Sequence, residues 1–266
     1  MSDAARKRII RDYYSRRAKD YDRQKQRTWK SRSGFGNEVT CELLHALRKC
    51  TGKLVLEVGV GSGRNALPVM EEIKPWLVGV DLSKEMLKVA KAKTSTFAES
   101  FDLVLGDADH LPFVDKVFDA AVIMSTMHYF SSPSSFLKKL RKLLKENGVL
   151  VYGDLSVHNS DVNRFLEKLE KILSKAHAGY YTPSEMRKLL ETSGFNVSKS
   201  KTFAYRKSYQ ALIEDKGYYF GVKPEELYAL IQEANTSAKE QYALTSTKLT
   251  LFYTIIIAAK STSVPK

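Results

Sequence analysis

Cysteine is scarce in this 266-residue chain, occurring only at Cys41 and Cys50, nine positions apart. That spacing matches no metal-binding pattern and makes no disulfide framework, so free thiols are expected and no metal. Long apolar runs are missing too. The longest, Leu251 to Ala259, is broken by Thr254 and is about half of what a membrane-crossing helix requires. No apolar segment follows the basic start Met1–Arg8, so no secretory leader is expected and the chain reads as cytoplasmic. Internal repeats and low-complexity stretches are absent, so no repeat architecture is expected. What remains is a globular balance of 43% hydrophobic and 27% charged residues, long enough for one α/β domain with additions.

Acidic charge is also short: 30 Asp and Glu stand against 43 Lys and Arg, a net +13. The imbalance is local. Residues 1–32 hold twelve Lys or Arg and four Asp, a net +8, so the other 234 residues supply only +5. Tyr13, Tyr14, Tyr21, Trp29 and Phe35 are interleaved with these charges. Cations attract polyanions and aromatic rings suit stacked bases, so a nucleic-acid contact is one reading and a solvated helix face the other.

Residues 4–32 read as helical and Ser33–Asn37 as a break. Val39–Lys49 has the apolar period of a packed helix. Strands are expected at Leu54–Val58, Leu77–Val80, Phe101–Leu105, Phe118–Met124 and Val149–Leu155. Helices are expected at Arg64–Ile73, from the Ser83 cap to Lys93, and from Pro133 to Leu144. Later helices are expected at Asp161–Ala176 and from Thr182-Pro183-Ser184-Glu185 to Gly194. Phe195–Tyr205 and Lys248–Ala259 read as two further strands with helices between them. The alternation gives an α/β fold: a Rossmann-like, doubly wound, seven-stranded, mostly parallel sheet. The expected division is a basic aromatic helical cap at 1–38, a core at 39–205, a helical insert or lid at 206–247, and the last strand and tail at 248–266.

Gly59, Gly61 and Gly63 follow the first strand, at the carboxyl edge where such sheets bind ligands. A glycine triplet alone serves dinucleotides, phosphates or a tight turn. Glu57 ends the first strand, Asp81 the second, and Asp107 follows the third within "GDADHLPF". Three acids around bare backbone suit a nucleoside with a positive centre, Asp81 toward ribose hydroxyls and Asp107 toward an adenine amine. Ala108 adds a backbone contact.

These segments resemble the class I S-adenosylmethionine-dependent methyltransferases. The first four motifs are "LEVGVGSGRNA", "VGVDLSKEML", "LGDADHLPF" and "FDAAVIMSTMHYF", and "LRKLLKENGVLVYGDLS" leads into the fifth strand. The likeness runs over about residues 40–155, more loosely through "YTPSEMRKLLETSGF", and is similar to the group that includes ubiquinone and menaquinone methylases. It implies S-adenosylmethionine as cofactor. Glu57 would orient the methionine ammonium indirectly, with Gly59 and Gly61 beneath the methionine. Asp81 would take both ribose hydroxyls, Leu82 the adenine face and Asp107 the adenine amine. Met124 and Ser125 would line the sulfonium end, and Tyr21 would cap the cofactor.

Methyl transfer is an in-line displacement needing a base only when the nucleophile arrives protonated. His128 is the candidate base or loop anchor, with Ser125 and Tyr129 beside it. The Pro-Pro-aromatic tetrad of many base-amine methylases is absent, as is a cysteine near strands four or five for attack on a pyrimidine. The expected reaction is methylation of a nitrogen in ribosomal or transfer RNA, such as cytidine N4. Arg16, Arg17, Arg23 and Trp29 would hold structured RNA. The alternative is a small-molecule or quinone/lipid-precursor methyltransferase, with Tyr218, Tyr219, Phe220 and Tyr228 lining a pocket under the lid.

Overall fold

A computed structural model describes residues 1–29 and 35–261, without the side chains of residues 24–29 or of Tyr218. Helix α1 (Asp3–Trp29) precedes α2 (Phe35–Leu47), and the sheet begins at β1 (Leu54–Val58). There follow α3 (Ala66–Glu72), β2 (Trp76–Asp81), α4 (Lys84–Lys93), β3 (Phe101–Leu105), β4 (Phe118–Met124), α5 (Pro133–Leu143) and β5 (Leu144–Ser156). Next come α6 (Phe165–Leu173), α7 (Pro183–Thr192) and β6 (Phe195–Ser208). The insert holds α8 (Tyr209–Leu212), a π-helical turn (Ile213–Gly217), α9 (Tyr218–Phe220), α10 (Pro224–Gln232) and α11 (Thr236–Gln241), and β7 (Lys248–Lys260) returns to the sheet.

The seven strands lie in the order β3-β2-β1-β4-β5-β7-β6, parallel except for β7, which is antiparallel to both neighbours. Neighbouring residues of β1 point to opposite faces, yet Val55 and Leu56 are both fully buried. The sheet is therefore covered on both sides, which is why its central strands lack polar alternation. Leu43, Leu47 and Met70 from α2 and α3 pack on one face; Phe136, Leu140 and Leu190 from α5 and α7 pack on the other. A third cluster joins α6 to the insert through Leu166, Leu169, Tyr209, Leu212, Leu227 and Tyr242.

Several boundaries differ from those expected. Helix α3 starts at Ala66 because the chain turns through residues 61–65 first. Leu144 leaves α5 for the ladder, opposite Phe118, and Asn147 takes a left-handed φ of 62° before the strand resumes. Helix α6 starts at Phe165 because the Asp161 carboxylate accepts from Phe165 N at 3.0 Å and caps the turn. The expected caps are present: Ser83 Oγ accepts from Met86 N at 3.2 Å, and Thr182 and Glu185 form a reciprocal capping box. Among the described residues no helix is long and apolar enough to cross a membrane.

Candidate active site

The carboxyl ends of β1, β2 and β4 open onto a cavity beneath α1. Its floor is main chain. Gly59 turns at φ +74°, and a Cβ there would lie 2.2 Å from Thr126 Oγ1, so a side chain would collide with the loop after β4. Gly61 N donates to Asp81 Oδ2 at 2.8 Å, and Ser83 N donates to Asp81 Oδ1 at 2.8 Å. Asp81 thus ties the glycine turn to the head of α4. Burial pushes its carboxyl upward, against those backbone bonds. Two carboxylate oxygens offer about four acceptor sites, so capacity remains for a ligand's hydroxyls. Leu82, Asp107, Ala108, Met124 and Ser125 line the same space. Bare backbone, a buried acid and a second acid across the opening fit a cationic nucleoside.

Two of the expected residues stand back from the wall. Glu57 is 2% exposed and reaches the lining through Asn65, whose Nδ2 donates to Oε1 at 3.5 Å. Burial pushes the Glu57 carboxyl up to about 8, so it is mostly protonated at neutral pH. Gly63 packs on α4 rather than on the cavity: its Cβ would sit 3.3 Å from Ala90 Cβ, a helix-packing role.

Helix α1 is the roof. Lys7 Nζ lies 2.8 Å from Asp107 Oδ2, 2.5 Å from Asp109 Oδ2 and 2.7 Å from Asp3 Oδ2. Burial would lower the Lys7 ammonium, but the three carboxylates outweigh it and raise it. Burial would likewise raise Asp107, and Lys7 prevails and lowers it. Further along, Ser15 Oγ donates to Glu85 Oε2 at 2.6 Å and Ser62 Oγ to Asp22 Oδ1 at 2.5 Å. A ligand that engages Asp107 therefore has to share it with Lys7 or open that pair.

A second cavity adjoins the first. Tyr14, Tyr21, Arg64, Ser125 and Tyr129 line both. Ser125 holds a left-handed φ of 54° at the end of β4, an uncommon conformation for a side-chain-bearing residue. Its N–H donates to Gly153 O at 2.7 Å and its hydroxyl meets Tyr253 OH at 3.1 Å. Tyr129 OH meets Tyr14 OH at 2.9 Å, and burial pushes Tyr129 up to about 12. Its hydroxyl is thus a fixed, protonated link to the roof, which argues against Tyr129 as a base.

His128 lies in the second cavity, 6% exposed. Its Nδ1 sits 2.9 Å from both oxygens of Asp154, whose Oδ2 also accepts from His128 N at 3.2 Å. Since the carboxylate only accepts, Nδ1 carries the proton and Nε2 keeps its lone pair. Burial lowers the imidazole further than Asp154 raises it, so the ring is neutral at neutral pH. Asp154 went unnoticed in the sequence, although an acid closing the buried strand "VLVYGDLS" was a usable signal.

Of the residues assigned to RNA, Arg17 is not at the surface. Arg17 is buried, its Nη2 2.6 Å from Asp215 Oδ1 in the insert and its guanidinium over Tyr13 at 4.7 Å. Arg16 is exposed and lies over Tyr219 at 5.6 Å; Arg23 is exposed and pairs with Asp20 at 2.7 Å. The side chain of Trp29 lies outside the described residues. Of the insert aromatics, Tyr219, Phe220 and Tyr228 are not among the residues that line these two cavities. Tyr219 and Phe220 pack on Tyr13, at 4.8 and 5.2 Å, Tyr228 is 39% exposed, and the Tyr218 side chain is not described. The insert contributes Leu212, Asp215 and Lys216 to the second cavity, with Lys207 from β6 and Glu170 from α6. Among the described residues no group of three His, Cys, Asp or Glu is placed to hold a metal.

The methyltransferase domain family matches the chain over residues 56–152. The demethylmenaquinone methyltransferase of Tropheryma whipplei is 27% identical over 215 residues, 74% of this chain and 87% of its own length. The crystal structure of the YcgJ protein from Bacillus subtilis superposes with a TM-score of 0.74 at 20% identity, covering 85% of this chain and all of that one. Phosphoethanolamine N-methyltransferase 2 of Haemonchus contortus, solved with S-adenosyl-L-methionine, gives 0.58 at 18% identity over 85% of this chain and 53% of its own. Sequence and fold agree on the class I S-adenosylmethionine-dependent methyltransferases, and this chain is one of them, with S-adenosylmethionine as its methyl donor.

Proposed function

We propose that the enzyme methylates a small hydroxylated ring compound held in the second cavity, with His128 as general base. The observation that carries this reading is the His128–Asp154 pair, buried beside a cavity that shares Ser125 and Tyr129 with the first. A neutral imidazole with its Nε2 lone pair free suits removal of a hydroxyl proton as the oxygen, or the ring carbon activated by it, becomes nucleophilic. S-adenosylmethionine supplies the methyl group. Gly59 and Gly61 would lie beneath its methionine part, Asp81 would take the ribose hydroxyls, and Leu82, Asp107 and Ala108 the adenine. Glu57 would act through Asn65, and Met124 and Ser125 at the sulfonium end. Tyr21, which lines both cavities, would close over the reacting centre.

The cavity's character favours a compact neutral molecule over RNA. Its six fully charged side chains are balanced: Arg64, Lys207 and Lys216 against Asp154, Glu170 and Asp215. Tyrosine and leucine side chains make up most of the remainder, as in sites for small apolar-bodied ligands. Access is restricted by α1 and the insert, which Arg17 and Asp215 join. A relative named for a quinone-type substrate points the same way. The test is transfer of radiolabelled methyl from S-adenosylmethionine to a panel of phenols and quinols and to total RNA. Label in the ring compounds, lost in His128→Gln, is expected; label in RNA alone would sink the reading.

A further inference from the structure

Beyond the base, the second cavity holds an ion pair that the methyl transfer just described does not use. Lys216 Nζ lies 2.6 Å from Glu170 Oε2, with side chains 13% and 1% exposed. Both line the cavity beside His128 and Tyr129. They come from different elements, Glu170 from α6 and Lys216 from the π-helical turn of the insert, and π-turns recur at functional sites. The π-turn brings both Asp215 and Lys216 to the cavity wall, although they are consecutive in the chain.

The pair is incompletely satisfied. Glu170 Oε1 is buried with no hydrogen-bond partner among the described residues. Lys216 has three donors and gives one to Glu170. Lys216 also acts through space on Tyr129 and His128, so its charge is felt where a substrate hydroxyl would lose its proton. A buried pair with one bond between its members and spare capacity on both is costly when empty. It is well matched to a ligand oxygen arriving between them.

We propose that Lys216 and Glu170 are the specificity-determining pair of this enzyme, orienting its substrate by a second oxygen function on the ring that His128 deprotonates. Lys216 donates to that oxygen, whether hydroxyl, carbonyl or phenolate, and Glu170 accepts when it carries a proton. This rests on the proposed function and adds one requirement to it: a ring with two oxygens is accepted over a ring with one. Where the second oxygen is a conjugated carbonyl, the negative charge of the deprotonated hydroxyl spreads onto it beside the Lys216 ammonium; where it is a hydroxyl, Lys216 and Glu170 hold the ring in place.

The experiment compares methyl transfer to phenol, catechol and hydroquinone by the wild-type enzyme, Lys216→Arg, and the double variant Lys216→Met/Glu170→Leu. The double variant removes both charges together and so avoids stranding a buried carboxylate. Cofactor affinity, measured by calorimetry, checks that each protein is folded and loaded. Wild type is expected to prefer one of the two-oxygen rings over phenol by about 10–100-fold in kcat/KM, the worth of a hydrogen bond to a charged group. The double variant is expected to lose that preference chiefly through KM, and Lys216→Arg to keep part of it. An unchanged preference in the double variant overturns this inference and leaves the proposed function standing. If the wild type methylates none of the three rings, the proposed function and the inference fall together.

Discussion

Arg17 of the first helix places its Nη2 2.6 Å from Asp215 Oδ1 in the insert, and Lys207 Nζ approaches the other oxygen at 3.0 Å. Tyr13 OH adds a bond to Asp215 O at 2.9 Å. Two segments about two hundred residues apart in sequence are thereby joined over the two cavities. The basic residues that distinguish the N-terminal segment are in part the bolts of a roof.

This relationship separates three arginines that sequence treats alike. Arg17→Met should destabilise the protein by about 3 kcal/mol, because the buried Asp215 loses the Arg17 guanidinium beside it. It should also weaken cofactor retention, read as a faster off-rate in stopped-flow and as new protease cleavage in α1. Arg16→Ala and Arg23→Ala, at exposed positions, should leave kcat/KM within about twofold, as surface substitutions usually do. Equal damage from all three would restore the basic-arm reading.

His128 and Asp154 lead to a pH profile. Burial holds the imidazole below its ordinary 6.5, with Asp154 opposing. The acid limb of kcat should therefore fall below pH 6.5, and activity should be flat through neutrality. His128→Gln should lower kcat by about 10²–10⁴, the usual worth of a positioned base, with calorimetric cofactor affinity unchanged. Asp154→Asn should also lower kcat, since an amide oxygen orients the ring less firmly and an amide nitrogen can enforce the wrong tautomer. The limb should then move to still lower pH, because the charge that favours the imidazolium is gone.

The central sheet and its caps were legible because their causes are local. "LVLEV" and "AAVIM" are covered on both faces and show it as apolar runs, the first broken by Glu57 alone; Ser83 and Thr182 announce helix starts by side-chain chemistry that acts within three residues. The cavity floor was legible for the same reason, since glycine density and strand-end acids are adjacent in sequence. What could not be read were pairings across the chain. Lys7 with Asp107, Arg17 with Asp215 and Glu170 with Lys216 are each set by how α1, α6 and the insert fold back. No spacing rule distinguishes a lysine that will be buried against an acid a hundred residues away from one that will meet water. The sequence therefore presents the basic segment as a surface, whereas Lys7 and Arg17 face inward.

Asp81 offers the cleanest test of the cofactor site. Its two oxygens already accept from Gly61 N and Ser83 N, so removal affects the turn as well as the ligand. Asp81→Asn keeps one acceptor and should weaken S-adenosylmethionine by at least tenfold; Asp81→Ala should abolish measurable binding, with circular dichroism unchanged. These losses follow from a buried acceptor worth roughly 1.5–3 kcal/mol per charged hydrogen bond. Wild-type affinity in Asp81→Ala would remove Asp81 from the cofactor's contacts.

Glu57 turns the same site into a proton-linked one. Its carboxyl, pushed up to about 8 by burial, ordinarily titrates near 4.5 in an unfolded chain. Between those two values the folded protein holds a proton that the unfolded chain has released, so the ligand-free protein loses stability as pH rises through this window. The slope approaches about 1.4 kcal/mol per pH unit at its steepest, and the benefit is whole only below about pH 4.5. A cofactor ammonium brought near Asn65 favours the carboxylate, so binding at pH 7 should release close to one proton. Calorimetry of S-adenosylmethionine binding in buffers of different ionisation enthalpy reads that number directly. Glu57→Gln, which keeps the shape and cannot ionise, should flatten both the stability slope and the proton release. A variant that still releases the proton would assign the linkage to another group.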